Sequence, residues 1–434
     1  MLERFIIRGG KPLRGTIRVK GSKNAIGKLL MASLLTSEEV RLLNVPQNSE
    51  TEIVVHLCEH IGSVVERRGD AITIRTAEIK NSRVKELPSK NRIPILALGP
   101  LLIRTGEVEV PMVGGDKIGA RPVDFHIAAL EKLGAEVRME NGTVLAMAPQ
   151  GLHGAEIILP YPSVGATENT ILSAVLAKGK TTIVNAATEP EIVDLVKMLQ
   201  KMGAIIELGA SRAIYIEGVG KLHGVEHALL PDRLEAASFA IMALATDGDI
   251  LVEDAVQDHL ITFLNAVRRL GGGYEIRPND GIRFFRCGGL RALHIETDTH
   301  PGFATDWQQP LAVLLTQARG DSIIHETVYE DRFGYTGDLM KMGASIDLEK
   351  KCLGVLPCRY QGKLYNHSAV IHGQTPLHGA EIEMRDIRAG MAQVVAALIA
   401  EGESVVTGIH HIDRGYEKID ERMRTLGAEI ERVT

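Results

Sequence analysis

The chain has 434 residues, 45% of them hydrophobic and 24% charged, with a formal net charge of −6. That balance excludes a nucleic-acid binder by overall field and suits a soluble protein long enough for more than one core. Four cysteines are too few for a disulfide framework, no apolar run approaches a membrane span, and the Met1–Phe5 start carries no signal core, so a cytosolic protein is expected.

Along the chain, a hydrophobic residue, a glycine and a small residue recur ahead of a short β-prone run. The glycines are Gly62, Gly134, Gly203, Gly271, Gly343 and Gly427, spaced by 72, 69, 68, 72 and 84 residues. A second marker keeps the same beat: an apolar helical run, a turn, then a β-branched strand. Its turns fall at Glu38-Glu39, Gly106, Gly179, Gly248, Gly320 and Gly402. Two markers in phase predict six copies of one supersecondary unit.

The unit over 151–218 shows its content. A strand is expected from Ala155, a helix from Pro162-Ser163 to near Lys178, and a strand over Thr181–Val184. An amphipathic helix over Ile192–Met202 and strands over Ile205–Leu208 and Ala213–Ile216 complete it. The order is β-α-β-α-β-β, which predicts an α/β fold with a sheet covered by helices. Five copies end in a two-strand hairpin, but the sixth has one strand, Glu429–Val433. Phe5-Ile6-Ile7 is the expected partner, so residues 1–20 should pack with the C-terminal half. Two three-unit domains follow, 21–231 and 1–20 with 232–434.

Informative polar residues recur where each opening strand turns into its first helix. In order these are Lys23-Asn24, Arg92, Ser163, Asp232-Arg233, Thr305-Asp306 and Asp386 with Arg388. Asp, Ser and Thr there serve as N-caps. Lys23, Arg92 and Arg388 do not, because a cation at a helix N-terminus opposes the macrodipole unless an anion intervenes. Arg121, in the loop Gly114–Pro122, and Arg332 and Arg414, each between a strand and a helix, join the same end of the units. Arginine forks suit carboxylate and phosphate. The residues predict a small polyanion held in a cleft between two domains.

The long sixth interval has its excess near 351–370, where Cys352, Cys358, His367 and His372 cluster. Five residues between the cysteines do not fit the usual close thiolate pair, so an extended surface hairpin is expected there and no metal.

These residues resemble the UDP-N-acetylglucosamine 1-carboxyvinyltransferases, enolpyruvyl transferases of peptidoglycan synthesis. The strings that carry the resemblance are Gly21–Ala25, Gly119–Asp124, Pro162–Thr167, Glu189–Asp194, Pro231–Arg233, Phe303–Asp306 and His411–Tyr416. The resemblance implies a two-domain inside-out α/β barrel of six β-α-β-α-β-β repeats, three per domain. It implies transfer of the enolpyruvyl group of phosphoenolpyruvate to the sugar 3′-hydroxyl, by addition and then elimination of phosphate. By similarity Asp306 is the base, Lys23 a proton donor and Asp116 a candidate acid. Lys23, Asn24, Arg121 and Arg414 would hold phosphoenolpyruvate, with Lys23, Arg121 and Arg414 on its phosphate, and Arg332 and Arg388 would face its carboxylate. Arg92, Arg121, Pro122, Val123, Asp124, Ser163, Val164, Gly165, Asp306 and Val328 would line the nucleotide-sugar site. No cofactor, metal, nucleic-acid partner or membrane insertion is implied.

The chain departs from the family pattern in four places. Asp116 stands where most members have a cysteine, which implies insensitivity to fosfomycin, the epoxide that alkylates that thiolate. Tyr161 and Thr188 stand where a basic residue is common, and Asn48–Thr51 lacks the usual aspartate. These departures leave two alternatives: an enolpyruvyl transferase for another nucleotide sugar in secondary metabolism, or a non-catalytic nucleotide-sugar sensor.

Overall fold

In the computed structural model, residues 3–84, 92–111 and 122–434 are described. They divide into two compact units, one made of 3–20 with 231–434 and the other of the described residues within 21–230. Each unit has its own hydrophobic core.

The unit that ends the chain is built on three helices buried on every side. Arg233–Ala245 is a run without glycine or proline, capped by the Asp232 side chain, and all its residues are buried. Gln308–Thr316 and Ile387–Ile399 are nearly as apolar, and the three pack on one another. A helix apolar on all faces needs cover on all faces. Three four-stranded sheets are formed by this unit's strands, and their burial alternates as expected of a half-covered sheet. Strand Asp249–Glu253, for example, buries Ile250 and Val252.

The N-terminal residues complete two of these sheets. Strand Arg4–Arg8 lies antiparallel between Glu403–Thr407 and Glu429–Val433, with Phe5 opposite Val406 on one side and Arg432 on the other. This is the strand pairing expected of Phe5-Ile6-Ile7. Strand Arg14–Arg18 pairs parallel with Asp249–Glu253.

In the other unit, helices Lys23–Ser33 and Val164–Ala174 both pack on the 3-10 turn Ile93–Ala97, and Leu98–Thr105 packs on Val164–Ala174. The last contact depends on Gly99, where a Cβ would sit 2.2 Å from Ser173 Oγ. Two four-stranded sheets and one three-stranded sheet surround these helices among the described residues. Val225–Ala228 supplies the parallel neighbour of Glu39–Leu43 from the far end of the unit.

Over 151–218 the observed elements are strand Glu156–Ile158, helix Val164–Ala174, strand Lys180–Val184, helix Pro190–Lys201 and strands Ile205–Leu208 and Ile214–Glu217. The first helix ends before the expected Lys178. The second starts two residues earlier than Ile192, because Pro190 fits the first helical turn. In the 351–370 region, Ser345–Glu349 and Ser368–Gly373 pair as antiparallel strands with Glu349 opposite Ser368. The residues between them form no strand, so the expected extended hairpin is a short hairpin carrying a long irregular loop.

One buried ion pair links two core helices of the 21–230 unit: Lys28 Nζ lies 2.7 Å from Glu168 Oε1. Burial, only partly offset by Lys28 and reinforced by Glu189 and Glu191, pushes the Glu168 carboxyl up to about 7. A carboxyl whose folded pKa is raised above 4.5 favours folding least once the unfolded chain ionises. Its effect is therefore a loss of stability as pH rises from about 4.5 to 7, on the order of 3 kcal/mol. Glu168→Gln, which mimics the protonated form, should flatten the pH dependence of the urea midpoint over that window. An unchanged slope would show that Glu168 is ionised in the folded chain.

Candidate active site

The unit that ends the chain brings two of the predicted arginines to one predicted carboxylate. Asp306 sits in the 3-10 turn Thr305–Trp307 that leads into Gln308–Thr316. Arg332 Nη2 donates to its Oδ1, and Arg388 Nε lies 3.8 Å from its Oδ2. Both guanidiniums are buried, whereas the Asp306 side chain keeps 26% of its surface. Two buried cations thus face one partly exposed acid.

Local structure explains how the cations are held. Arg388 lies in the first turn of Ile387–Ile399, where Asp386 caps the helix by accepting from the backbone amides of Arg388 and Ala389 at 2.8 and 2.9 Å. Its Nη1 donates to Tyr416 Oη at 2.8 Å, and that hydroxyl lies 3.0 Å from Ser238 Oγ. Burial alone would lower the Arg388 pKa, but Tyr416, Asp306 and Asp232 outweigh it and the net shift is upward. Arg332 behaves alike: burial opposes its charge, and Asp306, Asp386, Tyr329 and Glu326 prevail. In the sequence Tyr416 only closes the His411–Tyr416 string, and nothing local marks it as the partner of Arg388.

Glu326 is a second unforeseen member. It is fully buried and accepts from Thr297 Oγ1, Thr305 Oγ1 and the backbone amides of Val328 and Tyr329 at 2.8 to 3.1 Å. It fixes the turn holding Asp306 to the segment holding Val328 and Arg332. Burial raises its pKa, with Arg332 and the hydrogen bonds opposing. Tyr360 Oη donates to the Val328 carbonyl at 2.8 Å from the long loop. Arg414, half-buried, directly follows the short helix His410–Asp413, an element the sequence reading did not separate from its loop.

The 21–230 unit holds the remaining described candidates. Lys23 and Asn24 open helix Lys23–Ser33, and Lys23 Nζ lies 3.6 Å from Glu50 Oε1. Glu50 stands in the first turn of Ser49–Ile61, capped by Asn48, so an acid two residues beyond the Asn48 cap faces Lys23 although the usual aspartate is missing. Ser163 caps Val164–Ala174 by accepting from the Ala166 amide at 3.4 Å, and Val164 and Gly165 form its first turn. Arg92 Nη2 donates to the Pro122 carbonyl at 3.1 Å, next to buried Val123 and to Asp124 at the start of helix Asp124–Lys132.

His126 joins these two groups. Its ring sits where a Cβ on Gly165 would come within 3.1 Å, and burial, then Arg92, depress its pKa to about 3. It is a neutral wall beside Gly165, a residue the sequence reading passed over because a lone histidine carries little signal. Asp194, from the Glu189–Asp194 string, lies 3.0 Å from His227 Nε2 and ties helix Pro190–Lys201 to strand Val225–Ala228. Beside the cation-poor position 188, Arg212 Nη1 donates to Thr188 Oγ1 at 3.3 Å, so a guanidinium stands there after all. Asp116 and Arg121 lie outside the described residues.

The chain matches the EPSP synthase (3-phosphoshikimate 1-carboxyvinyltransferase) family over residues 7–423. It is 49% identical to a UDP-N-acetylglucosamine 1-carboxyvinyltransferase of Protochlamydia amoebophila, covering 98% of this chain and 94% of that one. A protein of the same name from Gluconacetobacter diazotrophicus is 42% identical, with both chains covered in full. Among solved structures, the enolpyruvyl transferase NikO from Streptomyces tendae superposes with a TM-score of 0.87 over 100% of this chain and 99% of that chain, at 23% identity, a likeness of fold.

Tyr416→Phe removes the acceptor of a buried guanidinium while keeping the ring. It should destabilise the chain by about 2 kcal/mol in urea unfolding, the usual cost of stranding a charged donor. A loss below ~0.5 kcal/mol would mean that another acceptor replaces the hydroxyl.

Proposed function

The chain belongs to the enolpyruvyl transferase family, and we propose that it transfers the enolpyruvyl group of phosphoenolpyruvate to the 3′-hydroxyl of UDP-N-acetylglucosamine, releasing phosphate, as the first committed step of peptidoglycan synthesis. The observation that carries this reading is the Asp306 carboxylate faced by Arg332 and Arg388. Relatives of that name match along essentially the whole chain.

The chemistry follows from what such groups can do. Asp306, the most exposed member of its cluster, takes the proton of the sugar hydroxyl as its oxygen bonds to C2 of phosphoenolpyruvate. A proton added to C3 completes the tetrahedral intermediate. Loss of a proton from C3 and of phosphate from C2 then restores the double bond. Arg332 and Arg388 stabilise the pyruvyl carboxylate, which would compete with Asp306 for the same donors. Lys23, Arg121 and Arg414 hold the phosphate, with Lys23 also a proton donor, and Asn24 completes the phosphoenolpyruvate site. Arg92, Arg121, Pro122, Val123, Asp124, Ser163, Val164, Gly165, Asp306 and Val328 bind the nucleotide sugar, with Asp116 a candidate acid. For Asp116 and Arg121 the support is sequence similarity alone.

The fold belongs to the same proposal. Six β-α-β-α-β-β repeats, three per unit, would make two inside-out barrels with helices within and sheets without. Support comes from six sheets of three or four strands and from core helices buried on all sides. Domains of 21–231 and of 1–20 with 232–434 accord with the two compact units. No described helix is long and apolar enough to cross a membrane, and a cytoplasmic site of action is part of the proposal.

Asp306→Asn keeps the shape and a carbonyl acceptor but removes the base. It should lower kcat by roughly 10²–10⁴-fold and leave nucleotide-sugar binding within a few fold, read by phosphate release and calorimetry. Near-normal turnover would overturn the base assignment. Fosfomycin should cause no time-dependent loss of activity, because a carboxylate at 116 is a poor nucleophile toward an epoxide. Asp116→Cys should restore inactivation together with a mass gain of one inhibitor. Covalent inactivation of the unaltered chain would show that residue 116 is misplaced in the site.

A further inference from the structure

The long loop between strands Ser345–Glu349 and Ser368–Gly373 has little hydrophobic reason to be ordered. Val355 and Leu364 are 93% and 83% exposed, and Tyr360 is its one buried aromatic residue. Yet the loop is closely tied to the body of its unit. The Val355 and Leu356 amides donate to the two Glu296 oxygens at 3.0 and 2.8 Å, and the Leu353 amide donates to Ser368 Oγ at 3.2 Å.

At the centre of these ties, side-chain donors from three places converge. His325 ends strand Gly320–His325, His367 directly precedes the strand opposite it, and Cys352 and Cys358 come from the loop. One ligand atom from each of the four lies within 4.8 Å of every other, and Cys352 Sγ is 3.2 Å from His367 Nε2. Tetrahedral zinc, with bonds of about 2.3 Å to sulfur and 2.0–2.1 Å to nitrogen, needs ligand atoms roughly 3.3–3.8 Å apart. Small side-chain adjustments reach that geometry.

The histidine tautomers point the same way. His325 Nδ1 is 3.1 Å from Glu296 Oε2, and His367 Nδ1 is 2.9 Å from the Tyr365 carbonyl oxygen. Both partners only accept, so each Nδ1 carries the hydrogen and each Nε2 presents a lone pair. An imidazole held from behind by a carboxylate or carbonyl is the usual arrangement of a metal-ligating histidine. His325 is fully buried, and its Nε2 has no hydrogen-bond partner. A buried lone pair without a donor is costly, and two sulfurs lie beside it. Neither cysteine is in a disulfide.

We propose that His325, Cys352, Cys358 and His367 form a structural zinc site that clamps the 350–367 loop onto the end of strand Gly320–His325. Binding releases the two thiol protons to solvent, and two thiolates balance the charge of Zn²⁺. A Cys₂His₂ set closed by four protein ligands suits zinc in a structural role. His372, which the sequence grouped with the cysteines, is not a member: its nitrogens lie 2.9 and 3.0 Å from Asp321 and Asp347 on the exposed face. The five residues between the cysteines are no obstacle to this set, because the fold adds His325 from the neighbouring strand and His367 from the end of the loop. The site also stands behind the substrate-facing segment, since Tyr360 and Arg359 of the clamped loop donate to the Val328 carbonyl.

The test uses the full chain expressed with zinc, purified without chelator and desalted, with metal measured by plasma mass spectrometry. One zinc per chain is expected, falling at least fivefold in Cys352→Ser/Cys358→Ser and unchanged in Cys287→Ser. Exchange into cobalt(II) should give tetrahedral d–d bands and a thiolate charge-transfer band, a readout on the unaltered chain that stands even where the double variant fails to fold. Chelation should speed tryptic cleavage after Arg359 or Lys363 at least tenfold, and added zinc should reverse it. Less than a tenth of an equivalent of zinc after saturation, full retention of metal in the folded double variant, or a Cys352–Cys358 disulfide in the native chain would each overturn the proposal.

Discussion

A guanidinium buried in the first turn of a helix is opposed twice, by lost hydration and by the positive end of the helix dipole. Arg388 occupies that position, and much of the chemistry of its unit serves to keep it there. Asp386 takes the free backbone amides of the helix, Tyr416 accepts from Nη1, and Asp306 stands against Nε. Arg332 shares the Asp306 carboxylate from the other side. Removing one partner would strand a buried charge, which explains why the acids and the cations occur together. The arrangement keeps two buried cationic donors beside one part-exposed carboxylate.

The placement of that cluster depends on the core beneath it. Arg233–Ala245, Gln308–Thr316 and Ile387–Ile399 are buried on every side, so their first turns are the places where polar groups can surface. The same constraint acts in the 21–230 unit, where Lys23 and Ser163 stand at the starts of buried helices. Packing thus fixes the helix starts, and the helix starts fix the candidate site residues. Strand Arg4–Arg8 matters for the same reason, because it completes a sheet covering Ile387–Ile399 and thereby supports Arg388 from a distance.

Much of this was legible in the sequence. The recurring glycines and turns mark a strand–helix rhythm because an αL glycine after a helix is a local requirement, independent of tertiary context; Gly134, Gly203, Gly271, Gly343 and Gly427 all have φ near +100°. The N-cap reading of Ser163 and Asp232 is likewise local, and both side chains do accept from backbone amides. Partners that arrive through tertiary contact left no such trace. Glu326, His126 and Arg212 act through residues 20 to 40 positions away or across an element, and none belongs to a spaced motif. His325 is a further case, separated from Cys352 by an entire helix and strand.

The 350–367 loop shows how an irregular segment can be tied down without a hydrophobic core of its own. Irregular chain of that length costs little extra closure entropy, but it has to find its order somewhere. Here the order comes from polar ties: Glu296 to two loop amides, Tyr360 to the Val328 carbonyl, and the four convergent donors at its base. Glu296 belongs to both arrangements, holding the loop through its oxygens and His325 through one of them. His325 in turn is followed at once by Glu326, whose carboxylate fixes Thr305 and the Val328 amide. The loop and the Asp306 turn are therefore joined through two adjacent residues of one strand end, and whatever stiffens the first also limits the freedom of the second.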